Sequence, residues 1–196
     1  IIQTAHTAEL AVGFGRKVRN LVGSPDYQRI FQTKLSTDSK AAGRWNTNKG
    51  GEYFAIGVGG AVTGKGADVL IIDDPHSEQE AMQGNPAVYD RVYEWYSSGP
   101  RQRLQPGGSI VLVMTRWSTR DLTGQIIENS IAREGDEWEV IELPAIMPSG
   151  KPLWPEFWKK EELESIKAEI PVSKWEAQYQ QNPTSEEGAI VKREMW

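Results

Sequence analysis

Two adjacent aspartates, Asp73 and Asp74, end the apolar run VLII and precede a proline. A run this short and β-branched predicts a strand that is covered on both faces of a parallel sheet. Ligands bind beyond the carboxyl ends of such strands. Paired carboxylates there are suited to hold Mg²⁺ beside a nucleotide phosphate and to orient a water molecule. The alternative is that both residues cap the following turn, because Asp before Pro is common in turns.

A second continuous apolar strand is predicted from Ile110 to Met114, and it ends in Thr115 and Arg116. A hydroxyl group and a guanidinium group at a strand end are suited to contact the γ-phosphate of a nucleotide beside a metal ion. The alternative is that Thr115 caps a turn and that Arg116 pairs with a surface carboxylate.

The segment GGAVTGKG, residues 59–66, matches G-x-x-x-x-G-K but has Gly66 where a P-loop has Ser or Thr. A P-loop lies between a strand and a helix, so that the helix N-terminus faces the phosphates. Here a strand follows within a few residues. The segment is therefore predicted to be a flexible loop, and we expect any true P-loop to precede Ile1.

Composition narrows the classes of protein to consider. The 196 residues include 22 basic and 27 acidic side chains, a net charge of −5, which argues against a protein coated in nucleic acid. The absence of cysteine excludes disulfides and thiolate metal sites. No apolar run approaches the roughly 18 to 20 residues that cross a bilayer.

Strands that alternate with helices predict an α/β layered sheet. The first helix follows a strand at Ile1–Thr4, and its apolar residues Leu10, Phe14, Val18 and Leu21 are spaced as on one helical face. Residues 35–51 are predicted to be loop with one short strand near Trp45. Further strands are expected at 52–58 and 138–146, and further helices at 85–96, 121–134, 159–170 and 171–181.

The segments RWNTNKGGEYFAIGVGGAVTGKGADVLIIDDPHS, RQRLQPGGSIVLVMTRWSTRDLTGQII and WEAQYQQNP occur in this order. Together they closely resemble the large terminase subunit of tailed bacteriophages and prophages. The resemblance implies an α/β fold: a partial P-loop NTPase (RecA/ASCE-like) three-layer fold with a mostly parallel central sheet, whose first elements, including Walker A, are missing. Residues 1–150 would be the C-terminal part of the ATPase domain. Residues 151–196 would be a helical subdomain and a linker towards an absent nuclease domain.

The resemblance implies a role for each acidic candidate. VLIIDD corresponds to the Walker B segment. Asp73 would then hold Mg²⁺, and Asp74 would be the catalytic carboxylate that polarises the attacking water. Many relatives have glutamate at the position of Asp74, so Glu78 is a second candidate.

The resemblance also gives roles to three other polar residues. MTRW resembles the coupling motif, in which Thr115 and Arg116 would contact the γ-phosphate. Relatives often have arginine at the position of Lys65, where one subunit inserts a charge into its neighbour's site. Lysine keeps the charge but lacks the planar fork of arginine, and the alternative is a solvated loop lysine.

The family's activity implies cofactors, partners and a location. The full-length protein would hydrolyse ATP with Mg²⁺ to drive double-stranded viral DNA into the procapsid, and a nuclease domain would cut that DNA. Its partners would be sister subunits in a homo-oligomeric ring on the portal protein and a small terminase subunit, in the host cytoplasm and away from any membrane. This chain alone is expected to be inactive.

Other classes of function stay open at this point. A helicase-like DNA-dependent ATPase would carry a second RecA-like domain, and a non-catalytic prophage remnant would lack the upstream glycine-rich loop. A metal-dependent nuclease would need carboxylates from further strands. Trp154, Trp158 and Trp175 are expected to pack in a core or between domains rather than against bases.

Overall fold

The structure is a computed structural model, and it describes residues 1–82, 85–133 and 135–184. The chain divides into two compact units, Ile1–Met114 and Thr115–Trp196. This division does not coincide with the functional boundary expected at residue 150, which stays a prediction.

The described residues of the first unit contain a six-stranded sheet. Its strands are β1 (Ile2–Ala5), β2 (Leu35–Ala41), β3 (Arg44–Thr47), β4 (Glu52–Gly57), β5 (Ala67–Asp73) and β6 (Leu104–Val113). Their order in the sheet is β2-β3-β4-β1-β5-β6. Strands β4, β1, β5 and β6 are parallel, whereas β2 and β3 are antiparallel additions at one edge. The mostly parallel sheet confirms the predicted α/β class.

The described residues also contain seven α-helical segments: α1 (Ala8–Val22), α2 (Pro25–Ile30), α3 (Glu78–Met82), α4 (Ala87–Ser98), α5 (Leu122–Arg133), α6 (Lys160–Glu169) and α7 (Val172–Lys174). The four longest, α1, α4, α5 and α6, confirm helices that were predicted from the sequence. A π-helical turn, Trp175–Tyr179, continues α7.

Helix α1 approaches the sheet closely at Gly15. A Cβ atom added there would lie 2.6 Å from Cε1 of Tyr53 and 2.7 Å from the carbonyl oxygen of Ala42. The ring of Tyr53 stacks on Trp45 with centroids 5.0 Å apart, and the indole N–H of Trp45 donates to the carbonyl of Gly15. Only a residue without a side chain fits this contact.

The predicted apolar face of α1 is not its buried face. The helix buries Ala11, Gly15 and Val22, whereas Leu10 and Leu21 are 51% and 59% exposed. The reason is the shape of the contact, because small residues allow the helix to approach the sheet where larger side chains would not. The apolar side chains are left on the flank of the helix.

That flank points over the part of the sheet formed by β5 and β6. Val12 lies beside Gly43 at the β2–β3 turn, and Phe14 lies about 160° around the helix from Val12. Strand pairing places alternate residues of β5 and β6 on the same face of the sheet as α1. There, Val111 and Val113 are 46% and 56% exposed. Strand register and helix geometry thus place a set of apolar side chains, several of them exposed, on this side of the sheet, which we call the apolar groove: Leu10, Phe14, Val18, Leu21, Ile71, Val111 and Val113.

Two predicted features of the sheet are wrong. Residues 35–41 form β2 rather than loop, because this polar segment pairs with β3 at the exposed edge of the sheet. Residues 138–146 form no strand. A strand needs a neighbour to accept its backbone hydrogen bonds. In the described residues this segment pairs only at its end, through the isolated bridge between Ile146 and Pro152 and through backbone bonds of Ala145 to Tyr179 and Leu153.

The second unit has few buried side chains. Trp175 is buried at 1% exposure and stacks on Tyr179, as expected for a core residue. Trp154 and Trp158 are 60% and 41% exposed, so the expectation that they lie in a core is wrong. They form an exposed cluster with Phe157 instead. The expected packing of this cluster between domains stays a prediction, and the linker predicted beyond residue 184 lies outside the described residues.

No helix within the described ranges is both long enough and apolar enough to cross a membrane.

The contact at Gly15 makes a prediction about stability. Gly15→Ala forces the helix away from Tyr53 and is expected to lower the free energy of unfolding by about 1–3 kcal/mol. Gly13→Ala in the same helix meets no atom within 4 Å and is expected to raise it by about 0.5–1 kcal/mol. Urea unfolding of the 196-residue chain measures both. Equal effects of the two substitutions would contradict the close contact.

Candidate functional site

The acidic pair lies at the carboxyl end of the parallel sheet. Asp73 is the last residue of β5 and pairs with Ala5 of β1 on one side and Val113 of β6 on the other. Its side chain is partly buried, whereas Asp74 is exposed. The acidic pair therefore lies where the sequence predicted it, at the carboxyl end of an inner parallel strand.

The backbone of Asp74 is held by hydrogen bonds to the last residue of β6 and to the residue that follows β1. Its N–H donates to the carbonyl of Val113 at 2.9 Å, and its own carbonyl accepts from the N–H of His6 at 3.1 Å. Asp74 has a φ of 39°, in the left-handed region that few residues other than glycine adopt. Strained backbone of this kind concentrates at functional sites, where the surrounding structure imposes it.

The electrostatic environment of Asp73 disfavours its negative charge. Burial, and to a smaller extent the charge of Asp74, raise the pKa of the Asp73 carboxyl. Such a carboxylate is stabilised when a cation binds to it. The oxygen ligands and the excess of negative charge therefore suit a hard divalent cation.

The segment after the pair leads into α3. Glu78, the second candidate for the catalytic carboxylate, is exposed at the start of α3. His76 is buried at 5% exposure, and its ring lies edge-on to Tyr89 with centroids 5.1 Å apart. Within residues 1–82, 85–133 and 135–184, no group of three or more His, Cys, Asp or Glu side chains surrounds a possible metal position.

Thr115 and Arg116 are the first residues of the second unit, directly after β6 and Met114. The guanidinium Nε of Arg116 donates to both carboxylate oxygens of Asp121, at 2.9 and 3.2 Å. The Arg116 side chain is 15% exposed and that of Asp121 is fully buried. Arg116 thus has a carboxylate partner, as one sequence-based alternative expected, but this partner is buried rather than on the surface.

Asp121 is a residue that the sequence-based assignment missed. Besides Arg116, its carboxylate accepts from the backbone N–H groups of Trp117, Ser118 and Gly124. The bond from Gly124 is that of an N-cap residue of α5. An aspartate directly before the apolar start of a predicted helix was the available sequence signal.

Lys65 lies at the opposite end of the sheet from the acidic pair. It precedes β5, whose seven residues span about 20 Å at the usual rise per residue. Its ammonium group contacts Oε1 of Glu52 at 2.8 Å, and Arg44 contacts the same oxygen at 2.8 Å. The hydrogen bond from Lys65 is the main cause of a lowered pKa of Glu52. The structure therefore does not bring Lys65 to Asp73 within this chain.

The glycine-rich segment 59–66 forms the connection between β4 and β5. A strand follows it rather than a helix, which confirms that it is not a P-loop. Positive φ angles at Gly59 and Gly64, 81° and 74°, explain two of its glycines.

Comparisons with known proteins give one result about the fold. No family model matches the sequence, and no curated protein matches it. The structure is similar to the crystal structure of the HK97 bacteriophage large terminase, with a TM-score of 0.52 at 14% sequence identity. The similarity covers 92% of this chain and 39% of that chain, so this chain spans about two fifths of the length of its structural neighbour. The chain thus shares a mixed α/β fold with the aligned part of that terminase.

The raised pKa of Asp73 predicts a dependence of stability on pH. From the ordinary Asp value of 3.8 upwards, the folded chain keeps a proton that the unfolded chain loses, so stability falls as pH rises through this window. Asp73→Asn removes the cost of the partly buried negative charge. It is expected to raise the free energy of unfolding at pH 7 by about 1 kcal/mol or less, with no gain at about pH 3.

Thermal unfolding without metal ions measures this difference. Asp68→Asn is the matched control, because Asp68 is on the same strand but exposed. A stability gain of Asp73→Asn that is the same at both pH values, or a loss at pH 7, would contradict the electrostatic account.

Proposed function

We propose that this chain is the later part of the ATPase domain of a terminase large subunit, the motor that packages viral DNA with energy from ATP. The observation that carries the proposal is the position of Asp73 and Asp74 at the carboxyl end of an inner strand, in a fold similar to that of a large terminase. In an open parallel sheet this edge is where ligands bind.

Mg²⁺ fits the residues at this edge. The donor atoms are carboxylate oxygens, and burial together with the charge of Asp74 raises the pKa of Asp73, so a bound cation would stabilise its charged form. Mg²⁺ commonly binds one or two carboxylates and takes its other ligands from phosphates and water. When bound, it would neutralise charge that develops on the phosphate oxygens. Asp73 is the residue that would hold it.

The residues of this chain position the attacking water and the γ-phosphate, and none of them forms a covalent bond with the substrate. Asp74 orients the attacking water for in-line displacement at the γ-phosphate, and hydrogen bonds to His6 and Val113 hold its backbone in place. Thr115 and Arg116 donate to the γ-phosphate and stabilise charge that forms during transfer. Glu78 remains the second candidate for the role of Asp74.

The free edge of the sheet and the apolar groove support the expectation that Walker A elements are missing. Strand β6 is the last strand in the described sheet and can accept one more parallel strand. The apolar groove between α1 and the β5–β6 face has the apolar lining that a helix requires. A P-loop unit supplies one strand, a glycine-rich loop and one helix. In this proposal they belong to a segment before Ile1 in a longer protein.

The partners of the motor follow from the proposal and not from this chain's geometry. They are double-stranded DNA, sister subunits in a ring on the portal, and a small terminase subunit. A nuclease domain would follow the present chain, and DNA packaging would take place at the procapsid in the bacterial cytoplasm. The support for these partners is the terminase-like fold.

Asp73→Asn tests the assignment of the metal-binding residue. In the full-length protein, ATP turnover is expected to fall to background because Mg²⁺ loses its carboxylate, while circular dichroism shows an intact fold. Asp68→Asn, on the same strand, is expected to keep wild-type turnover. Ordinary turnover by Asp73→Asn would refute the assignment. Asp74→Asn and Glu78→Gln then identify the catalytic carboxylate as the one whose loss lowers kcat.

Lys65 is proposed to act on the site of a neighbouring subunit. An arginine finger contributes about 10³-fold or more to turnover, and we expect a smaller loss in Lys65→Ala because lysine lacks the planar fork. Arg44→Ala is the matched control, since it removes the other partner of Glu52 and leaves Lys65 in place. Equal ATP turnover by the two variants would show that Lys65 is only structural.

A further inference from the structure

The carboxylate of Asp121 connects two segments of the second unit. It accepts three backbone N–H groups, two from the turn after Arg116 and one from the first turn of α5, at 2.9 to 3.3 Å. It also accepts the Nε–H of Arg116 with both oxygens. The side chain is fully buried, so water does not compete for these bonds.

The same contacts define the orientation of Arg116. Its Nε edge faces Asp121, and Nη2 makes a long contact of 3.4 Å with the carbonyl of Ser118. Among the hydrogen bonds of the described residues, Nη1 has no protein partner. Because the guanidinium is planar, fixing the Nε edge fixes the direction in which Nη1 points. The Nε side of the guanidinium is thereby held, and Nη1 can bind an anion.

Helix capping alone does not require this arrangement. An N-cap needs one acceptor for a backbone N–H in the first turn, and Ser or Asn supplies it as well as Asp. Burying a full charge is costly unless it is paired and hydrogen-bonded. The ion pair with Arg116 therefore indicates a role for the charge of Asp121 beyond that of a cap.

We infer that Asp121 is a positioning residue for phosphate transfer: it fixes the Arg116 guanidinium towards the γ-phosphate and links it to the N-terminus of α5. The inference rests on the proposed function, because Arg116 has a phosphate to bind only if the chain belongs to an ATPase. Movement of Arg116 on loss of phosphate would pull on the residue that caps α5. Asp121 is thus the point at which phosphate binding is coupled to that helix.

A double-mutant cycle in the full-length protein tests the inference. Asp121→Asn keeps the cap and the shape of the side chain but removes the charge that holds Arg116. We expect kcat for ATP to fall about 10- to 100-fold, since misplacement of a catalytic group by about 1 Å has an effect of this size. In Arg116→Gln, kcat for ATP is expected to fall by at least the same factor. Because both residues act through the Arg116 guanidinium, kcat of the double variant is expected to match that of Arg116→Gln within twofold.

Two further variants separate positioning from folding. Asp121→Ser retains a capping hydroxyl for Gly124 and is expected to lose kcat as Asp121→Asn does, which keeps the test valid if one variant folds poorly. Ser24→Ala removes the N-cap of α2, a bond of 3.2 Å to the N–H of Tyr27. It is expected to lower Tm without a change in kcat or in KM for ATP.

The outcomes distinguish the inference from the proposed function. Wild-type kcat in folded Asp121→Asn and Asp121→Ser, together with a loss in Arg116→Gln, would overturn the role of Asp121 alone. Losses that multiply in the double variant would also overturn it, because they indicate independent effects. Wild-type kcat and KM in Arg116→Gln would overturn the proposed role of Arg116 and with it the inference.

Discussion

The parallel pairing of β5 with β6 is the contact on which the position of the acidic pair depends. The register places Asp73 opposite Val113, so the two strands end at the same level. The backbone of Asp74 then bonds to Val113 and His6 and takes a conformation that an isolated chain would avoid. Because Thr115 follows Val113 by two residues, the same register determines where the chain leaves the sheet. A shift of one residue would turn Asp73 to the other face.

The site shows the usual conflict between stability and function. A partly buried carboxylate beside a second one lowers the stability of the fold without a cation, and the raised pKa of Asp73 records this cost. Buried ion pairs such as that between Arg116 and Asp121 are likewise weak sources of stability, but they determine orientation well. In the proposed function, Asp73 serves to bind a cation and Asp121 serves to hold Arg116. The fold itself depends on other contacts, such as that between Gly15 and Tyr53.

The sequence was most informative where one strong pattern determined the structure. The apolar strand ending in two aspartates and the second apolar strand were predicted, because burial in a sheet imposes continuous apolar residues. The helix α1 was also predicted from periodic apolar residues, although several of these lie on its exposed flank. The β2 strand was missed, since a polar edge strand carries little such pattern. The strand expected at 138–146 did not form, because in the described chain only the last residues of this segment have backbone pairing partners. Asp121 was missed because its link to Arg116 depends on how the turn between them folds.

The central claim is that Asp73 holds the metal ion that accompanies the nucleotide. The most direct measurement is an experimental structure of the full-length protein with Mg²⁺ and a slowly hydrolysed ATP analogue. The account predicts an Asp73 carboxylate oxygen that either coordinates Mg²⁺ at about 2.1 Å or holds one of its bound waters. A nucleotide and metal bound at another part of the sheet, with Asp73 facing only protein or bulk solvent, would contradict it.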